Sequence, residues 1–164
     1  MLNAVRAMKK REGFTLIEIL VVIGIIAVLA TIVIIAINPA RQFKQARNTQ
    51  RISNVNALLN AIGQNIADNK GVFTCAAGTL PSTATDMRKA SGGYDIRPCL
   101  VATYMPELTY DPTNGSNTCV DVTPGDCATS GSYDTGYSVK LESSGRITVS
   151  APGAELSETI AVTR

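Results

Sequence analysis

The chain has 164 residues, four cysteines, no histidine and 15 Lys and Arg against 13 Asp and Glu. That is enough for one domain plus an anchor. Without histidine the commonest general base and the usual triad member are missing, and a zinc site is disfavoured, the more so because the cysteines form no C-x-x-C pair.

The first thirteen residues hold Arg6, Lys9, Lys10 and Arg11 against Glu12 alone. This basic patch is too short, and lies too close to the apolar run beginning at Phe14, to be preferred as a nucleic-acid site. From Phe14 to Ile37 the chain is apolar, and Glu18 is its only charge. As a helix this run is about 36 Å long, enough to cross a bilayer. A basic segment before such a run stays in the cytoplasm, so the bulk of the chain is expected outside. A cleaved secretory signal would need a shorter apolar core and a small-residue cleavage site after it, and neither is present. An intramembrane carboxylate is costly, so Glu18 needs either a partner or a proton.

The helix is expected to continue to about Asn69, with Pro39 forcing a kink or local melting near Asn38. Past the proline, Ile52, Val55, Leu59, Ile62 and Ile66 form a stripe at 3-4 spacing, while Arg51, Asn54, Asn56, Asn60 and Asp68 lie away from it. Asn69-Lys70-Gly71 is a helix stop, with Gly71 free to take a left-handed conformation. Residues 72–134, rich in Gly, Pro, Ser, Thr and Asp, read as a long connection with one helical turn near Leu100 to Tyr104. An unaided loop of that length is rarely ordered, and Cys75, Cys99, Cys119 and Cys127 all fall inside it. Four cysteines in an extracytoplasmic domain favour disulfides and allow three pairings. Cys75–Cys99 with Cys119–Cys127 is preferred, because Pro124-Gly125 makes a turn within the second loop.

Residues 135–164 alternate. Tyr137, Val139 and Leu141, then Ile147 and Val149, share one face, Ser143-Ser144-Gly145 turns between them, and Ile160 and Val162 follow Pro152-Gly153 as a third short strand. The class is therefore α+β: a long helix whose second half covers an antiparallel sheet of about three strands. The divisions are 1–13, 14–38 (membrane helix), 39–71 (amphipathic half-helix), 72–134 (disulfide-held loop region) and 135–164 (sheet). Asp111, Asp121, Asp126 and Asp134, with Asn114 and Asn117, are weak calcium candidates. Their spacing fits no EF-hand, and solvated turn residues are the competing reading.

Lys9-Lys10-Arg11-Glu12-Gly13-Phe14-Thr15-Leu16-Ile17-Glu18 resembles the leader and mature start of a type IV prepilin or pseudopilin: a basic leader ending in glycine, then phenylalanine, then glutamate as the fifth mature residue, then an apolar helix. The strong resemblance covers Lys9 to about Ile37. One departure is the first proline, which many members carry about a turn earlier, where Ile34 or Ile35 stands here. The resemblance implies cleavage between Gly13 and Phe14 by a membrane prepilin peptidase, N-methylation of Phe14, and assembly into a helical homopolymer by a motor ATPase and a platform protein. No cofactor is expected, although the resemblance brings calcium into view, since major pseudopilins carry a calcium site in this part of the fold. The final place would be a cell-surface or periplasmic filament.

On that reading the new Phe14 ammonium of one subunit faces Glu18 of a neighbour, offsetting two buried charges and fixing register between greasy anchors. Pairing within one chain and simple protonation are the alternatives. Gly24, Ala27 and Ala30 share a face that would let helices approach. A structural subunit of a type IV pilus or type II secretion pseudopilus is the expected function. A minor tip subunit binding DNA, a surface or secreted cargo is the alternative. No constellation for catalysis stands out, so an enzyme is not expected.

Overall fold

The computed structural model describes residues 13–120, 127 and 131–164. Two compact units divide at Ala40. The first holds helix α1, Leu16–Ile37. Its 22 residues extend about 33 Å, just over the hydrocarbon thickness of a bilayer. None of these residues is buried. The helix ends where Asn38 turns left-handed at φ 48°, ahead of the Pro39 that has no N–H to continue the ladder. Helix α2 begins at that proline and runs Pro39–Asp68. It stops through Lys70 and Gly71, both at positive φ, with the Gly71 N–H reaching back to the Ile66 carbonyl.

Four further elements are strands β1 (Thr85–Arg88), β2 (Ser116–Asn117), β3 (Tyr133–Leu141) and β4 (Ile147–Ala151). Strand β5 (Ile160–Thr163) and the short helix α3 (Arg97–Leu100) complete the set among the described residues. The sheet is antiparallel in the order β1-β3-β4-β5, with β2 also paired to β3. The α+β layout expected from the sequence is present and fits a pilin-like arrangement, and the sheet is larger than three strands. β1 and β2 come from the segment read as connection. The reason is visible in the core. Met87, Ile96, Leu100, Val101 and Leu108 from that segment join Val55, Leu58, Leu59 and Ile62 of α2 and Tyr137, Val139 and Val149 of the sheet. These apolar residues are too sparse to show a period in sequence, yet each is buried. The helical turn lies at Arg97–Leu100, slightly before its expected place.

The stripe on α2 needs correction at three residues. Ile52 is 45 % exposed, while Arg51, placed away from the stripe, is fully buried. Asn54 also turns inward, donating to the Tyr110 carbonyl and the Tyr137 hydroxyl. Arg51 is accommodated because Asp111 meets it in a bidentate pair at 2.6 and 3.2 Å. Nη2 also donates to the Thr113 hydroxyl, and Nη1 donates to Asn48 and, at 3.1 Å, to Glu155. A buried charge is tolerated only when it is paired and hydrogen-bonded in this way.

The segment carrying Glu155 is itself held in an uncommon conformation. Leu156 and Ser157 are both at positive φ, which persists only when surrounding contacts fix it. Arg47 donates twice to the Glu155 carboxylate, and Asn48 bonds its main chain in both directions. Asn48 also donates to Glu158.

Two disulfides tie the middle of the chain, Cys75–Cys99 and Cys119–Cys127. Asn65 secures the first from α2: its amide donates to the Thr74 and Cys99 carbonyls and accepts from the Thr74 N–H. The two links span sequence separations of 24 and 8. On loop-closure entropy the larger contributes about 1 kcal/mol more, within the usual 2–4 kcal/mol for such a link. Cys75→Ser/Cys99→Ser is therefore expected to lower the melting temperature more than Cys119→Ser/Cys127→Ser, and equal losses in thermal unfolding would contradict that ordering. Pro124-Gly125, the turn inferred for the smaller loop, lies outside the described residues.

Candidate functional site

The start of α1 carries the features singled out in sequence. Phe14 is 84 % exposed, and Gly13 has open space where a Cβ would stand. Thr15 is the N-cap, in extended conformation, and its hydroxyl accepts from the Glu18 N–H at 3.3 Å. Glu18 Oε2 accepts in return from the Thr15 N–H at 2.7 Å and the Thr15 hydroxyl at 2.8 Å. This is a capping box, which satisfies two of the orphan donors that every helix start leaves. The sequence reading missed it, although Thr15-x-x-Glu18 before an apolar run is its signature.

The box changes what Glu18 is. Its nearest partner is Thr15, three residues back, rather than the main chain of Phe14. Both local donors converge on one oxygen, and Oε1 has no protein donor among the described residues. The site is therefore a preoriented carboxylate with one free oxygen, surrounded by Phe14, Ile17, Ile19, Val21 and Val22. Such a group can accept a cation from outside its own chain without giving up its cap. Gly24, Ala27 and Ala30 lie further along the same unburied helix.

The other expected site residues are placed differently. Asp111 is buried against Arg51, and its Oδ1 also accepts from the N–H groups of Thr113 and Asn114 and the Thr113 hydroxyl. Asp134 accepts from the Gly136 N–H and lies 3.7 Å from Arg88. Each carboxylate thus has a protein cation beside it, and among the described residues no three acidic, cysteine or histidine side chains converge as metal ligands. Asp121 and Asp126 lie outside the described residues. The four cysteines are consumed in the two disulfides.

Residues 8–34 match the prokaryotic N-terminal methylation motif. The chain carries the prepilin-type signal of type IV pilins and pseudopilins. The match takes in Gly13, Phe14, the capping box and most of α1 and fits a pilin-like precursor, and α1 is long and apolar enough to cross a membrane. No curated protein and no solved structure matches the chain. Beyond the motif, the described residues form five strands, two disulfides and the buried Arg51–Asp111 pair.

Proposed function

We propose that the chain is a shaft subunit of a type IV pilus or type II secretion pseudopilus. The precursor sits in the cytoplasmic membrane with its leader inside. A prepilin peptidase cuts between Gly13 and Phe14, the new Phe14 amine is methylated, and a motor ATPase with a platform protein moves subunits into a helical homopolymer. The observation that carries this reading is the preoriented Glu18 carboxylate, with one oxygen free among the described residues, at the head of an apolar helix that has no buried residue.

A helix of that composition needs an apolar surround. Lipid supplies it before assembly and neighbouring α1 helices supply it afterwards. In the second setting the only charges in the layer are Glu18 and the ammonium created at Phe14. Glu18 Oε1 of one subunit accepts from the Phe14 amine of another, so that both charges are neutralised and one axial offset is selected.

Gly13 supports the processing step. An added Cβ meets nothing there, and its φ is outside the left-handed region. The fold makes no demand for glycine at this position, which leaves the close approach of an enzyme as its use. Gly13→Val is expected to fold normally and to remain an uncut, membrane-trapped precursor. Electron microscopy of sheared surface filaments, with intact-mass analysis of the subunit, tests the reading as a whole. The expected subunit begins at methylated Phe14, and a filament subunit still carrying Met1 to Gly13, or no filaments at all, would refute it.

A further inference from the structure

Two exposed apolar features on α2 are used by neither the core nor the anchor. Phe43 is 65 % exposed and Ile52 is 45 % exposed. Nine residues apart on one helix, they lie about 180° apart around its axis and about 13 Å apart along it. They therefore occupy opposite flanks of α2. Their surroundings differ in shape and in charge. Phe43 has Arg41 and Lys44 as near neighbours in sequence. Ile52 instead floors a groove of about 360 Å³ with Glu158, Thr159, Ile160, Ala161 and Val162. The groove lies along β5, the last strand of the sheet, which pairs only with β4. Glu158 uses Oε2 to accept from Asn48 and has no protein donor to Oε1 among the described residues, where Lys44 likewise has no ion pair.

We infer that Phe43 of one copy of this chain seats in the Ile52–β5 groove of the next, with its Lys44 ammonium against the partner copy's free Glu158 oxygen. An aromatic knob beside a cation fits an aliphatic groove beside a carboxylate in both shape and charge. Because knob and groove lie on opposite flanks and are displaced along the helix, a pair of copies cannot satisfy both at once. Each added copy leaves one knob and one groove open, which is the heterologous contact that grows into a helical array. The inference rests on the filament reading and names the contact that reading requires between globular units.

The test is photo-crosslinking in assembled filaments, with p-benzoylphenylalanine in place of Phe43 in the full chain. The expected product is a dimer whose crosslinked peptide contains Ile52 or residues 158–162. The reciprocal probe in place of Ile52 should capture the peptide spanning residues 41–47. Both positions are exposed, so neither probe disturbs the monomer's core. Lys44→Glu and Glu158→Lys should each lower filament yield about five-fold, the upper end for an exposed pair, and the double charge swap should recover most of it. Capture of lipid from position 43 in filaments, or of a different peptide, overturns the inference and leaves the filament reading standing. Absence of filaments from the unaltered chain overturns both.

Discussion

Glu18→Ala is expected to insert and to be cleaved, and then to fail in assembly. Removing a charge makes the anchor more apolar, so insertion is not impaired, and Gly13 and Phe14 are untouched. Two interactions are lost. One is the capping box, whose loss costs about 1 kcal/mol at a helix start. The other, on the proposed filament reading, is the partner for an incoming Phe14 ammonium in an apolar layer, whose removal commonly costs about 3–5 kcal/mol. The second dominates and recurs at each subunit addition. Glu18→Gln separates them: glutamine can still close the box with Thr15 but cannot neutralise an ammonium. Both variants should therefore give few filaments against a normal pool of cleaved subunit in a shear assay, and co-expression with the unaltered chain should rescue only in part. Normal yield from Glu18→Gln with poor yield from Glu18→Ala would make capping the whole role of the residue.

Asp111→Ala is expected to be the most damaging single change to the globular unit. It leaves the Arg51 guanidinium, whose side chain is fully buried, without its bidentate partner. It also removes the acceptor for the N–H groups of Thr113 and Asn114. Unpairing a buried charge costs about 3–5 kcal/mol, and Glu155 still meets Arg51 at 3.1 Å, so the loss should lie near the lower end, about 3 kcal/mol or on the order of 10 °C in melting temperature for a domain of this size. Thermal unfolding of the detergent-solubilised chain measures it. The paired replacement Arg51→Met/Asp111→Leu should lose less than either single change, because no charge is left stranded. A double loss equal to the sum of the singles would show that the two groups are not coupled.

The same cluster sets the acid limit of stability. Burial alone would raise the Asp111 carboxyl. Hydrogen bonds from Arg51, Thr113 and Asn114 overcome that and hold it at about 2, below its usual 3.8. Glu155 is lowered to about 2 as well, first by the Arg47 hydrogen bonds, against the opposing effect of desolvation, and further by Arg51. A carboxylate whose folded value is depressed contributes stability that is complete above its unfolded value and is lost as pH falls through the folded one. Stability should therefore hold down to about pH 4 and fall between pH 4 and pH 2. A flat melting temperature across that window would contradict the ionised cluster.

Along the first half of the chain, local chemistry decides the structure. The unbroken apolar run gives α1, Pro39 gives the break at Asn38, and Asn69-Lys70-Gly71 gives the end of α2. Each is set by residues adjacent in sequence, because backbone hydrogen bonding and covalent constraint act over a few positions. The N-terminal methylation motif is legible for the same reason: it is a linear segment, residues 8–34. The Thr15–Glu18 box was equally local, and its signal was present in the sequence.

The β3–β4 hairpin also declares itself, through alternation and a Gly145 at φ 80° in the turn. Other features depend on residues far apart. Arg51 is buried because Asp111, sixty positions away, is there to receive it. A periodicity count sees only a cation on a helix and assigns it to solvent. Ile52 stays exposed because the sheet ends at β5 on that flank. β1 and β2 are strands because β3 offers them an edge. Their own composition reads as loop. The sequence alone thus determined the anchor, the signal and the class of fold. Which α2 residues face inward, where the Asp111 charge goes and which apolar side chains of α2 remain exposed were decided only by tertiary packing, where burial free energy and charge pairing outweigh local preference.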